Sequence, residues 1–273
     1  MTNVNQLNIN IRWKSDLSKV YSALAQNALT GENAYADGAG APPVQTTADI
    51  TVDMLGGTTN FKPELELIYY TAQDDIAIPN EILLPYHQPQ VYVKTISAVA
   101  KDANASIVGD NIRVNQVPNK MYVWVQKSRA SKNGFDADYF FTPQSVNITW
   151  NNQVGVLSGA SQSQLHSISV DNGLETPFNL ATDLNTGEGF PLCFEFGKDI
   201  PLETGESMGT HGNYSLRVDG VFNNAGEALA NVEFNVMLVM NGACVISPNE
   251  CRLTLGTLTQ GENMSAEDMG HRY

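Results

Sequence analysis

The residues with the greatest potential for chemistry are four histidines, three cysteines and a few closely spaced carboxylates. No two of His87, His166, His211 and His271 stand in the His-x-His or His-Glu-x-x-His spacing of a zinc site. Gly205-Glu206-Ser207-Met208-Gly209 matches the Gly-x-Ser-x-Gly pattern, but it lies in a predicted loop and not between a strand and a helix, as a nucleophile elbow does. Gly197-Lys198-Asp199 lacks the earlier glycine and the hydroxyl of a phosphate-binding loop. The sequence therefore predicts no catalytic residue, no metal ligand and no cofactor.

Paired carboxylates are the remaining route to catalysis, because a glycosidase on a β-sandwich needs only two of them. Glu64 and Glu66 share one side of a predicted strand, while Glu195 and Glu233 alternate with buried aromatic residues. We interpret all four as outward-facing, solvated side chains, which is the usual state of a carboxylate on the wet side of a strand. A sandwich-fold glycosidase stays an alternative hypothesis.

Composition and charge restrict the partners of the chain. Of its 273 residues, 42% are hydrophobic and only 16% are charged, and the net charge is −14. The hydrophobic fraction permits a packed core, and so acidic a surface repels phosphate backbones and anionic lipid headgroups. No apolar run approaches the roughly 20 residues of a membrane-spanning helix, and the first residues do not resemble a signal peptide. We expect no direct nucleic-acid contact, no membrane span and reduced cysteines, although a bridge between Cys244 and Cys251 stays open.

Hydrophobic side chains recur at every second position along much of the chain, which is typical of strands with one buried side. The clearest examples are residues 7–13, 146–150, 192–196, 214–218 and 232–238. Residues 121–125 are instead apolar on both sides, which predicts a central strand whose outer side carries Tyr122 and Trp124. A neighbouring domain or subunit would cover that side, and a long loop of the same chain is the alternative.

Two segments have the periodicity of a helix. Ser15 is a candidate N-cap of the first, and the second runs from about Ser161 to a stop signal at Asn172-Gly173. Two short helices among roughly ten strand segments indicate an all-β fold, an antiparallel β-sandwich with its helices in loops.

Long loops are predicted where glycine, proline and polar residues cluster. Such stretches occupy residues 32–45, 174–189 and 198–212, and residues 78–89, with His87, have the composition of a connector between two packing units. Loops of this length in a compact sandwich commonly carry contacts. We therefore expect subunit contacts at the loops of residues 174–189 and 198–212.

Two stretches that follow one another in the sequence resemble part of a known fold. They are Leu65-Glu66-Leu67-Ile68-Tyr69-Tyr70 and, seven residues later, Ile78-Pro79-Asn80-Glu81-Ile82-Leu83-Leu84-Pro85. Together they resemble the crossover between the two domains of double jelly-roll major capsid proteins. Residues 117–125 resemble the proline-led strand of the second jelly roll, and residues 211–224 and 232–240 resemble its closing pair. The resemblance covers residues 6–259 and is to the versions of Polinton-like viruses, virophages and large eukaryotic DNA viruses.

This resemblance implies an assignment of domains within a viral jelly-roll fold. Residues 1–80 would be the closing strands of a first jelly roll plus a connector, residues 81–260 a second jelly roll, and residues 261–273 a polar tail. Family members carry a complete first jelly roll, with many residues before the position of Met1. A split gene, a fragment and a reduced architecture are all open, and a separate chain could supply the missing first jelly roll.

The resemblance also implies a function. It predicts a structural, non-enzymatic major capsid protein that is assembled inside the host cell, forms homotrimeric capsomers and builds an icosahedral virion shell. Its partners would be copies of itself in the trimer and the capsid lattice, together with minor capsid or penton proteins. The candidate interface residues are Tyr122, Trp124, His87 and Phe178. The alternative is a receptor- or glycan-binding jelly-roll domain of a virion spike or fibre.

Overall fold

The computed structural model describes residues 82–132, 140–182, 189–226, 228–247 and 251–256. Apart from residues 130–132, these residues lie in one of the two compact units of the chain. Their strands are β1 (Ile82–Ile96), β2 (Ala103–Ile107), β3 (Ile112–Gln116), β4 (Lys120–Lys127), β5 (Thr142–Trp150), β6 (Gln153–Val156), β7 (Leu192–Glu195), β8 (His211–Asn224), β9 (Val232–Ile246) and β10 (Cys251–Leu255). Their helices are α1 (Gln162–Asp171) and α2 (Phe178–Ala181).

The strands form two antiparallel sheets of five strands each. The first sheet has the order β1-β9-β4-β7, with β10 also paired to β9, and the second has the order β2-β8-β5-β6, with β3 also paired to β8. Because β2 and β3 follow one another along the same edge of β8, they act as one interrupted strand. Without β10, the two sheets then have the strand orders of an eight-stranded jelly roll. The predicted all-β antiparallel sandwich is confirmed.

The core lies between the facing sides of the two sheets. Alternate residues of β4 and β5 point into it and are at most 1% exposed: Met121, Val123, Val125, Val146, Ile148 and Trp150. The Trp150 ring stacks on Tyr214 with centroids 5.2 Å apart and meets the Phe196 ring edge-on at 4.9 Å. The alternation predicted at residues 146–150 therefore corresponds to a strand with one side in the core.

The segment predicted as a connector is not a loop where the structure describes it. Residues 82–89 are the first half of β1, which pairs with β9 along its whole length. Among the described strands β1 lies at an edge of its sheet, and a spacing of four puts the nitrogens of Pro85 and Pro89 on the same side of it. An edge strand tolerates proline on its unpaired side because no ladder hydrogen bond is lost there. His87 is therefore a strand residue, and its prediction as a loop residue is wrong.

The second predicted helix is confirmed as α1. Ser161 is its N-cap, with its Oγ accepting from the Gln164 backbone N–H while the Gln164 side chain accepts from the Ser161 N–H. This reciprocal pair is a capping box, which satisfies two otherwise unpaired donors. Leu165 is fully buried, and the helix ends before Asn172 as predicted.

The short helix α2 lies in the region predicted as the loop of residues 174–189, so the sequence did not predict it.

Asn172 attaches the end of α1 to the first sheet. Its side-chain amide donates to the backbone oxygen of Cys193 at 3.0 Å and to the Asp199 carboxylate, and its side-chain oxygen accepts from Lys198 at 2.8 Å. The Asn172 backbone oxygen accepts a further bond from the Lys120 ammonium at 3.1 Å. This network uses all the polar atoms of a side chain that is almost fully buried, so α1 is held firmly on β7.

Several predicted features lie outside the described residues. They are the strands at residues 7–13 and 64–71, the helix after Ser15, the loop at residues 32–45, the carboxylates Glu64 and Glu66, and the tail at residues 261–273. The assignment of residues 1–80, 81–260 and 261–273 to separate parts of the protein therefore stays a prediction.

Gly220 is a point in β8 where the structure has no room for a side chain. A Cβ there would lie 2.9 Å from the backbone oxygen of Ser145 and 2.8 Å from the Phe222 ring. We predict that Gly220→Ala lowers the free energy of unfolding by about 1–3 kcal/mol, because Phe222 is fully buried and the Ser145 backbone is held in the ladder between β5 and β8. Gly159→Ala is the matched control, since no atom lies within 4 Å of its Cβ position. Urea unfolding measures both, and equal stability of the two variants would contradict the prediction.

The Asn172 network generates a second prediction. Asn172→Ala removes three side-chain hydrogen bonds and leaves the Cys193 carbonyl and the Lys198 ammonium without this partner. We expect the free energy of unfolding to fall by about 2–3 kcal/mol. Asn152→Ala, in the exposed turn between β5 and β6, is the control and should change stability by less than about 0.5 kcal/mol. Thermal unfolding followed by circular dichroism distinguishes the two outcomes.

Candidate functional site

The outer side of the first sheet is mostly apolar. Its central rows are built by cross-strand neighbours: Val91 and Tyr122 both face Met237, Val93 and Trp124 both face Asn235, and Pro89 and Lys120 both face Val239. We call these nine residues the outer apolar face. Three adjacent strands, β1, β9 and β4, contribute to it, so the face is continuous across the sheet.

The outer apolar face differs from an ordinary solvent-facing side of a sheet because it exposes apolar side chains. Val91 and Val93 are 51% and 56% exposed, and Tyr122 and Trp124 are half-buried. A sheet side that remains in water normally carries polar residues at these positions. A continuous apolar patch on a folded domain marks a surface that another molecule or domain covers. The structure places Tyr122 and Trp124 on the outer side of β4, and what covers that side stays a prediction.

The strand next to β4 on its other side, β7, is covered on this outer side by α1. Cys193 is only 2% exposed, and its backbone N–H donates to the Ser169 hydroxyl at 3.1 Å. Burial raises the pKa of the Cys193 thiol, so the sulfur is a neutral packing group rather than a nucleophile. Burial also raises the pKa of Tyr122, whose hydroxyl interacts with that thiol. The helix therefore covers the β7 end of the outer side, whereas Val91 and Val93 on β1 keep more than half of their surface exposed.

Two further predicted interface residues lie in different places. His87 is exposed on the same side of β1 as Val91, and its Nδ1 is 2.9 Å from the side-chain oxygen of Asn241. Phe178 belongs to α2, is 41% exposed and meets the His166 ring edge-on at 5.2 Å. The structure thus brings His87, Tyr122 and Trp124 to one side of one sheet, and Phe178 is not part of that sheet.

Sequence reasoning missed Val91, Val93 and Met237 as members of this surface. A signal was present, because Val91-Tyr92-Val93 is apolar at three consecutive positions, as residues 121–125 are. The contribution of Met237 depends on the register between β9 and its neighbours, which only the folded structure gives.

A second apolar region lies at the end of the first sheet where β9 pairs with β1 and β10 and no longer with β4. Residues 82–86 of β1, 242–246 of β9 and 251–255 of β10 form a three-stranded ribbon, which we call the extension. Leu83 and Leu253 are both 66% exposed, and Leu84 is 47% exposed. The extension therefore buries little apolar surface compared with the rest of the sheet.

Among the described residues, the side chains of His166 and Glu233 have structural partners and do not share a reaction centre. His166 is buried, with its Nε2 2.8 Å from the Thr176 carbonyl oxygen. Glu233 accepts from the Ser128 hydroxyl at 2.8 Å and from the Arg129 backbone N–H at 3.0 Å. Within the described ranges, no three His, Cys, Asp or Glu side chains are grouped so as to hold a metal ion. None of the described helices has the length and apolar character needed to cross a membrane.

Comparisons with known proteins are consistent with this geometry. Residues 90–180 match the family described as the major capsid protein V20 C-terminal domain. The chain is 28% identical over 248 residues to the putative capsid protein V20 of Sputnik virophage, a match that covers 80% of this chain and 42% of that protein. The chain therefore spans less than half the length of the curated relative it matches.

Two solved structures have the same fold. The cryo-EM structure of the Sputnik virophage matches with a TM-score of 0.65 and 24% identity over 74% of this chain and 46% of that chain. The crystal structure of the mavirus major capsid protein matches with a TM-score of 0.57 and 16% identity over 68% of this chain and 44% of that chain. The resemblance to the jelly-roll major capsid proteins is confirmed: this chain is similar to the virophage capsid protein V20 and has the fold of these two capsid structures.

Proposed function

We propose that this chain is a structural component of a virion, a major capsid protein that forms homotrimeric capsomers of an icosahedral shell. The observation that carries the proposal is the outer apolar face, on a fold whose relatives are capsid proteins. A capsid protein is a building element, so we assign the chain no catalytic role and no cofactor. The spike or fibre alternative is not proposed, because the matched family is one of capsid proteins.

The contact must be large to overcome the cost of association. Fully burying an exposed valine contributes about 1.5–3 kcal/mol, and Val91 and Val93 are already about half buried. Two such residues fall short of the roughly 4–15 kcal/mol that association costs in lost freedom of motion. A partner must therefore cover the whole outer apolar face, as in permanent interfaces that bury about 2,000 Å² or more.

The shape and chemistry of the outer apolar face favour a second sheet as its partner. A sheet presents a flat surface, and two sheets pack side to side with interleaved side chains at about 10 Å. Tyr122 and Trp124 supply the aromatic contacts that dominate protein interfaces. Lys120 is the one charged member of the face, and its ammonium already donates to the Asn172 carbonyl oxygen. We therefore propose that another jelly roll, supplied by a copy of this chain in the trimer, covers the face.

The remaining predicted partners follow from the same proposal. Residues 81–260 would be the second jelly roll and residues 1–80 the closing strands of the first, completed by further residues or by a separate chain. A net charge of −14 would keep unassembled subunits apart in solution and does not favour contact with the genome. His87 would lie at the margin of the interface, whereas minor capsid and penton proteins and Phe178 stay predictions without an assigned contact.

Replacing Val93 by lysine tests the interface. Val93 is 56% exposed on β1, and a lysine there would have to lose its hydration when a partner covers the face. We expect the wild-type chain to form a trimer and Val93→Lys to weaken that association by about 100-fold, which corresponds to about 2.8 kcal/mol. Sedimentation velocity over a concentration series measures the change.

Val154→Lys is the matched control, because Val154 is 75% exposed on β6 of the other sheet. It should trimerise like the wild type, and both variants should keep the wild-type circular dichroism spectrum and unfolding midpoint. A wild-type chain that is strictly monomeric at high concentration, or equal weakening by both substitutions, would refute the proposed interface.

A further inference from the structure

The extension contains two cysteines on neighbouring strands. Cys244 lies on β9 and Cys251 on β10, and their sulfur atoms are 3.6 Å apart. In the register of the hairpin, Cys251 faces Ile246 and Cys244 faces Leu253, so the cysteines are diagonal neighbours. Diagonal residues of an antiparallel pair project from the same side of the sheet, which is why the two thiols can meet.

We propose that Cys244 and Cys251 form an oxidisable pair, which closes into a reversible disulfide that links β10 covalently to β9. The sulfur atoms must approach by about 1.5 Å to reach the bond length of about 2.05 Å. β10 has five residues and pairs with β9 at the edge of the extension, so it can make this small movement without disturbing the core. The inference does not depend on the proposed shell function.

The two thiols differ in a way that gives them different roles in the reaction. Cys251 is exposed, whereas Cys244 is partly buried. The hydrogen bond to Cys251 and burial both raise the pKa of the Cys244 thiol. Cys251 is therefore the thiol that meets a dissolved oxidant first, and Cys244 is the one that completes the bond. Cys193 takes no part, because it is 2% exposed beneath α1.

The reaction with oxidised glutathione is a balanced exchange. The Cys251 thiolate attacks one sulfur of the glutathione disulfide, and the departing glutathione thiolate takes up a proton. The deprotonated Cys244 then attacks the Cys251 sulfur of the mixed disulfide and expels the second glutathione. Two cysteine thiols are oxidised by two electrons in total, and one glutathione disulfide is reduced to two thiols.

Because the cysteine pair lies in the extension, a disulfide there would raise the local stability of this ribbon. Leu83, Leu84 and Leu253 are all largely exposed, so burial does little to hold the extension together. A covalent link between β9 and β10 would restrict local opening of this ribbon. The bond between diagonal residues would be strained and accessible, which makes it readily reducible in a cell interior and stable in an oxidising medium.

Thiol counting on the full chain tests the proposal. The reduced protein is treated with oxidised glutathione, its remaining thiols are alkylated, and the products are mapped by mass spectrometry. We expect the wild type to lose two of its three thiols and to yield one peptide pair joined through Cys244 and Cys251, without a covalent dimer. Cys193→Ser should form the same bond, and reduced glutathione should reverse it. In Cys244→Ser the oxidation should stop at a glutathione adduct on Cys251.

Tryptic cleavage after Arg252 provides an independent readout, because this exposed residue lies on β10 next to Cys251. We expect oxidation to slow this cleavage by about tenfold in the wild type and in Cys193→Ser, and to leave the rate in Cys251→Ser unchanged. A stable glutathione adduct in the wild type, disulfides only between molecules, or three unreacted thiols would each overturn the proposal.

Discussion

The first sheet of this jelly roll carries apolar side chains on both of its sides, and the rest of the molecule is arranged around that constraint. The second sheet covers the inner side, where Met121, Val123 and Val125 have no contact with water. On the outer side, α1 covers β7, and the outer apolar face keeps two valines on β1 more than half exposed. Because apolar surface is stabilised by removal from water, a sheet of this kind is suited to an assembled state.

Much of the fold could be predicted from local patterns. Residues 146–150 alternate strictly between apolar and polar types, and they form β5 with one side in the core. Ser161 and Gln164 have the spacing of a capping box, which marks the start of α1 without any knowledge of the rest of the fold. In both cases the decisive interactions lie within a few residues of one another, so the sequence alone contains the needed information.

Other elements depend on contacts that the sequence does not reveal. The prolines of β1 suggested a connector, since their compatibility with a strand depends on whether that strand lies at an edge. β2 and β6 are too short to show a clear alternation of apolar and polar residues. β6 also contains Gly155, whose φ of +84° is not that of a regular strand. For the candidate site, Tyr122 and Trp124 could be predicted from an apolar run, whereas Met237 required the pairing register. Phe178 was grouped with them by its loop position, and no strand pairing supports that grouping.

The prolines of β1 also bear on how copies of this protein can meet. An edge strand presents a row of unpaired backbone groups, and a crowded solution of identical chains can join along such rows into open-ended aggregates. Pro85 and Pro89 cannot donate a backbone hydrogen bond, so a foreign strand that approaches this edge finds two gaps in the ladder. In the proposed assembly, these gaps would disfavour fibril-like growth and leave contact between broad, side-chain-covered surfaces, which can close into a finite particle.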